Sequence, residues 1–327
     1  MSGIYIPGVP ILGNLSASGS GCADLGDIDL TAEKLDSRVI YQCASQHGFL
    51  AADGSLQYAP ADFWPREYRD GVVSGRHEPE PQSTNYTLNS AGNKPTSISG
   101  KAVISSTSAG GIPLYDVTLD TSAGADRYLE FSSALTVTEQ QYTSSFFVAA
   151  GGSSPAQMSR HRIVVYGNSA PYLDRSSLLN LLTGEVVPIS SNQIPYIDEC
   201  SAALIGNAYR SKLVLKNQSP VTRITQRPTW MNGEGDLSGL FGLFQIELGE
   251  LATSPIPTTG SAVTRAGAFG FIANPGLLAT AARIYYTDGT TYDIEFNGAA
   301  RGAIPQASKD WGYRYIEGVS YSRGFSR

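Results

Sequence analysis

Short runs in which apolar and polar residues alternate recur along this 327-residue chain, and turn-forming residues separate them. Clear examples are Leu114–Leu119, Arg162–Tyr166 and Tyr292–Phe296. Alternation with a period of two places successive side chains on opposite faces of a strand, whereas a helix requires a period of about 3.6. Because these runs follow one another without an intervening helical pattern, the sequence predicts an all-β protein of antiparallel strands.

The turn signals indicate the same fold class. Asp288-Gly289 lies between Arg283–Tyr286 and Tyr292–Phe296, which predicts a β-hairpin because both turn residues accept a positive φ. The chain also holds 35 glycines and 18 tyrosines, while charged residues make up only 16%. Glycine suits tight turns and tyrosine suits a pleated, half-buried surface, so this composition favours strands over helices.

The distribution of these signals predicts four parts. Residues 1–36 are rich in small residues and lack a strand period, so we expect an extended arm that attaches to another protein, with a frayed tail as the alternative. Residues 37–86 hold short strands between closely spaced turns. Residues 87–265 have the size and pattern of one antiparallel jelly-roll β-sandwich, and residues 266–327 predict a small β-domain.

Charge and hydropathy argue against several classes of partner. The formal net charge of −6 offers no basic face for nucleic acid. Met1–Gly21 lacks the charged and apolar regions of a secretory signal, so we expect folding in a cytoplasm. Ala266–Ile284 is the most apolar later stretch, but Asn274-Pro275 and Arg283 within it argue against insertion into a membrane.

The cysteines and histidines do not have the spacing of a metal site, and we expect reduced, packed thiols. No nucleophile elbow of the form G-x-S-x-G and no phosphate-binding G-x-x-x-x-G-K-S/T motif occurs, so no cofactor is expected. The residues in question are Cys22, Cys43, Cys200, His47, His77 and His161.

Acidic pairs are the remaining candidates for catalysis. Hydrolysis of a glycan uses two carboxyl groups about 5 to 9.5 Å apart. Asp198-Glu199, Glu247–Glu250 and Asp293–Glu295 supply such pairs, yet none lies in a catalytic motif. Glu247 lies in an alternating run, which favours a carboxylate that faces solvent or binds a turn. We therefore expect no enzymatic activity.

Several motifs follow one another in the order of a known family. Asp36–Val39, Ala51–Gln57, Pro65-Arg66, Glu78–Glu80 and Thr84-Asn85 resemble a module widespread in phage tail-fibre and head-spike proteins. In that module a D-G-x-I/L-Q turn precedes P-R-F, a G-L-L-I-E-P strand and T-N.

Later segments resemble the domain that follows this module in the same proteins. Tyr142–Gly151, Leu181–Val187 and Gln245–Gly249 are similar to strands of its jelly roll, and Ala252–Arg265 is similar to the family's closing segment almost residue for residue. The resemblance covers residues 36–265. It implies a carbohydrate-binding-module-like jelly roll in a virion protein, which forms a closed homo-oligomer, with a trimer as the expected form.

A saccharide site combines flat aromatic faces with polar groups. Trp230 lies with Arg227 and Asn232 in a turn-rich loop, where an exposed indole could take this role. We therefore predict these three residues as a sugar-binding site. Packing is the alternative for Trp230, because large aromatic residues are more often buried than used for binding.

Three further aromatic residues predict contacts between chains. Trp64, beside a proline, is a candidate for fixing the arm onto a neighbour, and Trp311 and Tyr313 lie in a cluster that suits a core or a subunit interface. The leading prediction is a tail-fibre, spike or decoration protein of the virion that adheres to host surface polysaccharide. The alternatives are a polysaccharide-degrading tailspike and a purely architectural baseplate or capsid protein.

Overall fold

The computed structural model describes residues 25–99, 102–119, 127–136, 140–151, 155–167, 173–189, 197–216, 221–231 and 237–322. It confirms the all-β fold class, because the described residues form 26 strands, one 3₁₀ turn at Pro275–Leu277 and no α-helix. In this described part, no helix has the length and apolar character that a membrane crossing demands.

The strands, in chain order, are β1 (Ile28–Asp29), β2 (Val39–Cys43), β3 (His47–Leu50), β4 (Leu56–Ala59), β5 (Glu67–Arg69), β6 (Val72–His77), β7 (Ser83–Asn85), β8 (Ser97–Ser99), β9 (Ala102–Ala109), β10 (Ile112–Leu119), β11 (Tyr128–Ser132), β12 (Gln141–Ala150), β13 (Met158–Gly167), β14 (Leu173–Asn180), β15 (Val186–Pro188), β16 (Ile197–Ile205), β17 (Ala208–Lys216), β18 (Val221–Gln226), β19 (Thr229–Met231), β20 (Leu237–Leu248), β21 (Val263–Arg265), β22 (Ala268–Ala273), β23 (Ala281–Tyr286), β24 (Thr291–Glu295), β25 (Arg301–Ile304) and β26 (Tyr315–Ser322).

The middle of the chain forms two antiparallel sheets that pack face to face. The six-stranded sheet has the order β16-β17-β12-β20-β10-β9, and the seven-stranded sheet has the order β15-β14-β13-β18-β11-β8 with β19 beside β13. Phe146, Phe241 and Phe244 of the first sheet pack against Phe131 and Trp230 of the second in one buried core. This is a β-sandwich, as predicted, while the jelly-roll order of its connections stays a prediction.

The two ends of the chain fold together around a second core. β1, β5 and β6 from the first part share a sheet with β23, β24 and β26 from the last part, in the order β24-β23-β26-β6-β5 with β1 on β26. In a further sheet β2 lies beside β22 and β25. We call residues 25–86 and 263–322 the terminal module. The predicted separation between residues 37–86 and residues 266–327 is therefore replaced by one shared core.

The end of the predicted arm belongs to this module. Ile28 pairs with Val319, and both Ile28 and Leu30 are fully buried. Arg38 donates hydrogen bonds to the carbonyls of Leu25 and Gly26, and so holds the chain in place. Residues 25–36 are therefore part of the fold and not of an extended arm, while the rest of the predicted arm, residues 1–24, lies outside the described residues.

A buried strap, residues 252–256, joins the terminal module to the sandwich. Arg210 on the outer side of the six-stranded sheet donates to the carbonyl oxygens of Ala252 (3.0 Å) and Thr253 (2.6 Å). Trp311 of the terminal module donates its backbone N–H to the same carbonyl of Ala252 (3.0 Å). One outer face of the sandwich is thus covered, and the outer face of the seven-stranded sheet is on the opposite side.

Candidate functional site

The outer face of the seven-stranded sheet carries a set of polar and aromatic side chains. The apolar residues that point from these strands into the sandwich are Leu129, Phe131, Ile163, Val165 and Ile224. Since side chains alternate along a strand, the neighbours of these residues point outward. The outward set includes Tyr128, Glu130, Arg160, Arg162, Tyr166, Asp174, Arg223 and Arg227, which we call the tyrosine–arginine face, and between them lie the buried residues Val164, Ser176 and Thr225.

Arg227 is the centre of this face. Its Nε donates to Oε2 of Glu130 (2.7 Å), and one of its terminal nitrogens donates to the hydroxyl of Tyr166 (2.6 Å). Its guanidinium carbon lies 4.4 Å from the ring centroid of Tyr128. Three neighbours therefore fix one guanidinium group, so the two tyrosine rings are held at defined positions on the sheet.

Two further arginines of this face, Arg162 and Arg223, each lie beside one of the two tyrosine rings. Arg162 binds Asp174 through Nε (2.9 Å and 3.0 Å) and a terminal nitrogen (2.6 Å), and it also lies beside Tyr128. Arg223 is exposed, and its guanidinium carbon lies 3.9 Å from the ring centroid of Tyr166. The result is a shallow surface on which guanidinium groups and aromatic rings alternate.

Such a surface can bind a ligand that offers both C–H patches and hydrogen-bonding groups. Tyr128 and Tyr166 are half-buried residues, and each ring has a guanidinium over it. A sugar ring presents C–H groups that suit an aromatic face and hydroxyl groups that accept from a guanidinium. A flat sheet face also suits an extended polymer better than an enclosed pocket does.

Trp230 does not belong to this surface, and the expectation that its indole is exposed is corrected. The side chain is 3% exposed, stacks on Phe241 and donates its indole N–H to the carbonyl of Val117 (3.2 Å). No open indole face remains for a sugar. Of the other predicted binding residues, Arg227 lies at the centre of the tyrosine–arginine face, and Asn232 lies outside the described residues.

The three predicted interface residues differ in their exposure to solvent. Trp64 is buried, stacks on Tyr41 and donates its indole N–H to the carbonyl of His77 (2.8 Å). Trp311 is buried as well and reaches Glu67 (3.3 Å). Both indoles therefore pack within the chain's own cores instead of facing a neighbour. Tyr313 is 57% exposed, so it stays a predicted interface residue.

One carboxylate of each candidate pair has a structural partner. Glu247 is buried and accepts hydrogen bonds from the backbone N–H of Thr253 (3.1 Å) and from the hydroxyls of Thr253 and Ser83, so it binds a turn and does not face solvent. Glu199 pairs with Lys212, and Asp293 pairs with Arg283. These contacts tie the carboxylates to the scaffold.

The histidines lie inside the protein. His161 is fully buried between the hydroxyls of Ser144 (2.8 Å) and Ser211 (3.0 Å), and burial lowers its pKa to about 3. Burial also lowers the pKa values of His47 and His77. In the described part of the chain, no cluster of histidine, cysteine and acidic residues has the arrangement of a metal site.

A cleft of about 380 Å³ lies where the terminal module meets the turns of the sandwich. Gly54, Gly110 and Gly206, each with a positive φ, allow these turns to approach closely. Two polar residues of the lining already bind the protein itself, since Arg69 donates to the carbonyl of Gly312 and Asp53 accepts from the backbone N–H of Ser55 (2.9 Å). We therefore place the candidate site on the tyrosine–arginine face and not in this cleft.

The sequence analysis named Arg227 as a candidate but none of its partners on this face. The alternating run from Arg162 to Tyr166 already predicted a strand with two unlike faces, yet it did not show which face is buried. Comparison with known proteins adds no identification, because no protein-family model and no curated protein matches this chain. Fold and site together define an all-β protein with a terminal module, a β-sandwich and a polar sheet face on which Arg223 is exposed.

Proposed function

We propose that this chain is a structural protein of a tailed-phage particle, and that its tyrosine–arginine face adheres to a host surface polysaccharide. The observation that carries the proposal is the Arg227 centre, where one guanidinium holds Glu130, Tyr128 and Tyr166 in a fixed arrangement. A surface that is ordered before the ligand arrives loses little side-chain entropy on binding.

The architecture gives this face a clear orientation. The opposite side of the sandwich is joined to the terminal module through the strap and through Arg210. The strap is also the start of the segment, residues 252–265, that most resembles fibre and spike proteins. That resemblance therefore lies at a structural joint, and the sheet face on the far side points away from it.

Adhesion of this kind gains strength from several copies. A shallow site binds one saccharide unit weakly, and linked sites raise the effective concentration for the second contact. A closed homo-oligomer on the particle supplies such copies. In the proposal, residues 1–24 attach the chain to other virion proteins, and the sheet faces of the assembled chains point toward the host cell.

Binding to host cells and to their purified polysaccharide tests adhesion. Tyr128→Ala combined with Tyr166→Ala removes both rings from the face, and Tyr292→Ala, an exposed residue of β24 that is 48% exposed, is the matched control. We expect the double variant to lose binding and the control to keep it. Equal binding by both would contradict adhesion through this face, and release of reducing ends would contradict a purely adhesive role.

Attachment to the particle needs a separate experiment. Because Ile28 and Leu30 belong to the core, the deletion must stop at residue 24. We expect a chain without residues 1–24 to fold and to be absent from purified particles, whereas the parent chain is found at a defined position in an electron-microscopy map. Normal incorporation of the shortened chain would remove the attachment role from this segment.

A further inference from the structure

The charge of the tyrosine–arginine face is opposite to that of the whole chain. The chain carries a formal net charge of −6. The outward side chains of the face include four arginines and two carboxylates: Arg160, Arg162, Arg223, Arg227, Glu130 and Asp174. A face with an excess of guanidinium groups attracts anions even on a protein whose net charge is negative.

Two of these arginines form ion pairs, and Arg160 donates a hydrogen bond to the hydroxyl of Ser176 (3.2 Å), so Arg223 is the arginine that we consider for a ligand. Glu130 pairs with Arg227, and Asp174 pairs with Arg162. Arg223 is exposed and lies over the ring of Tyr166, and no carboxylate of the described residues forms a salt bridge with it. A guanidinium on a ring keeps its N–H edge free for a planar acceptor.

The position of Arg223 is set by its neighbours. Tyr166 and Arg223 are directly opposite each other on β13 and β18. The hydroxyl of Tyr166 accepts from Arg227, which Glu130 holds in turn, so the ring beneath Arg223 is fixed from its far end. A carboxylate at this edge can accept two parallel hydrogen bonds from the guanidinium of Arg223, whose carbon lies 3.9 Å from the ring centroid of Tyr166.

We infer that the face selects acidic saccharides, with the carboxylate of a uronic acid bound by Arg223 and the sugar ring lying against the tyrosines. This inference rests on the proposed adhesion to polysaccharide and names the class of saccharide. Arg223 is the specificity residue, and Arg227 with Glu130 are positioning residues. Neutral sugars lack the group that Arg223 recognises, so they bind more weakly.

The test measures binding of the full chain to an acidic oligosaccharide and to its uncharged methyl ester. Oligogalacturonate and its methyl ester share one backbone and differ in the charge of the carboxyl group. We expect the acid to bind about tenfold more tightly than the ester, since a charge-assisted hydrogen bond of ordinary strength gives a change of this size. The preference shrinks as salt is added, because the contact is exposed.

Three variants locate the effect. Arg223→Gln removes the charge and is expected to abolish the preference for the acid. Arg223→Lys keeps the charge but loses the planar guanidinium with its two parallel N–H donors, so we expect it to keep only part of the preference. Arg301→Gln is the matched control, because Arg301 is also exposed and also lies over an aromatic ring, that of Phe271 at 4.5 Å, but in the terminal module. It is expected to leave the preference unchanged.

The outcomes separate this inference from the proposed function. Equal affinity for acid and ester, or an unchanged preference in Arg223→Gln, overturns selection of acidic saccharides while adhesion through the tyrosines stands. If Arg301→Gln and Arg223→Gln lose the preference for the acid equally, selection by Arg223 is also overturned, because the preference would then come from the overall charge of the protein. Absence of binding to both probes and to host polysaccharide overturns the proposed function itself.

Discussion

Trp230 and Phe241 stack across the interior of the sandwich, with ring centroids 3.9 Å apart and planes inclined by only 6°. Trp230 belongs to β19 of the seven-stranded sheet and Phe241 to β20 of the six-stranded sheet. Gly239 lies against the indole, where even a Cβ atom would come within 2.5 Å of two of its carbons. The pair therefore couples the two sheets, and the glycine provides the space that the indole fills.

The first prediction concerns this pair. Trp230→Ala removes the stacked ring and leaves a cavity between the sheets, so we expect the free energy of unfolding to fall by about 3 to 5 kcal/mol. Trp230→Phe keeps most of the contact and is expected to cost less. Urea denaturation measures both values. Saccharide binding by the folded variant should match the parent, and a selective loss of binding at full stability would contradict the packing role.

The local pattern of the sequence predicted strands well and their partners poorly. Leu114–Leu119 lies in β10 and Arg162–Tyr166 lies in β13, because alternation reports directly on the two faces of a strand. The pairing of Ile28 with Val319 was not predicted, since β1 has two residues and its partner is almost the whole chain away. Periodicity carries no information about which distant edge a short strand meets.

The candidate site shows the same limit. The turn-forming residues around Trp230 favoured a loop, but the pairing of Ser159 with Trp230 makes this segment a strand, and the stacking on Phe241 shows that the indole points inward. Arg227 was named as a candidate because it lies in the same turn-rich segment as Trp230. Its contacts with Glu130 and Tyr166 join residues 97 and 61 positions away in the sequence, and no local pattern could place them together.

A second prediction concerns the turn between β9 and β10. Gly110 has a φ of 56°, and a Cβ atom there would lie 2.6 Å from the side-chain amide nitrogen of Asn207. Gly110→Ala therefore combines backbone strain with a clash, and we expect a loss of roughly 1 to 3 kcal/mol. Gly289→Ala is the control, since its φ is also positive but no atom lies within 4 Å of the added carbon. Equal losses would show that the clash adds nothing.

A third prediction follows from the buried imidazole of His161. Its pKa of about 3 lies below the ordinary value of 6.5, so the folded state favours the neutral ring. The stabilising contribution is complete above about pH 6.5 and is lost as the pH falls toward 3, by about 1.4 kcal/mol for each pH unit. His47 and His77 change stability in the same direction, because burial also lowers their pKa values.

His161→Gln isolates this contribution. The amide of glutamine can still donate to one serine and accept from the other, and it does not titrate in this range. We expect the variant to lose less stability than the parent between about pH 7 and about pH 4.5, measured by urea denaturation at both values. Parallel curves for the two proteins would show that His161 titrates normally in the folded state.

The last prediction concerns the ion pair at the centre of the tyrosine–arginine face. The side chains of Glu130 and Arg227 are only 7% and 12% exposed, so removing the arginine leaves a carboxylate that is poorly solvated and has lost its partner. We expect Arg227→Met to lower the free energy of unfolding by about 3 kcal/mol, and Glu130→Gln added to it to restore part of that loss. Saccharide binding should stay weak in both variants, because Tyr166 has lost the donor that orients its ring. Recovery of binding together with stability in the double variant would mean that Arg227 acts only on folding, and that the ring of Tyr166 needs no such support.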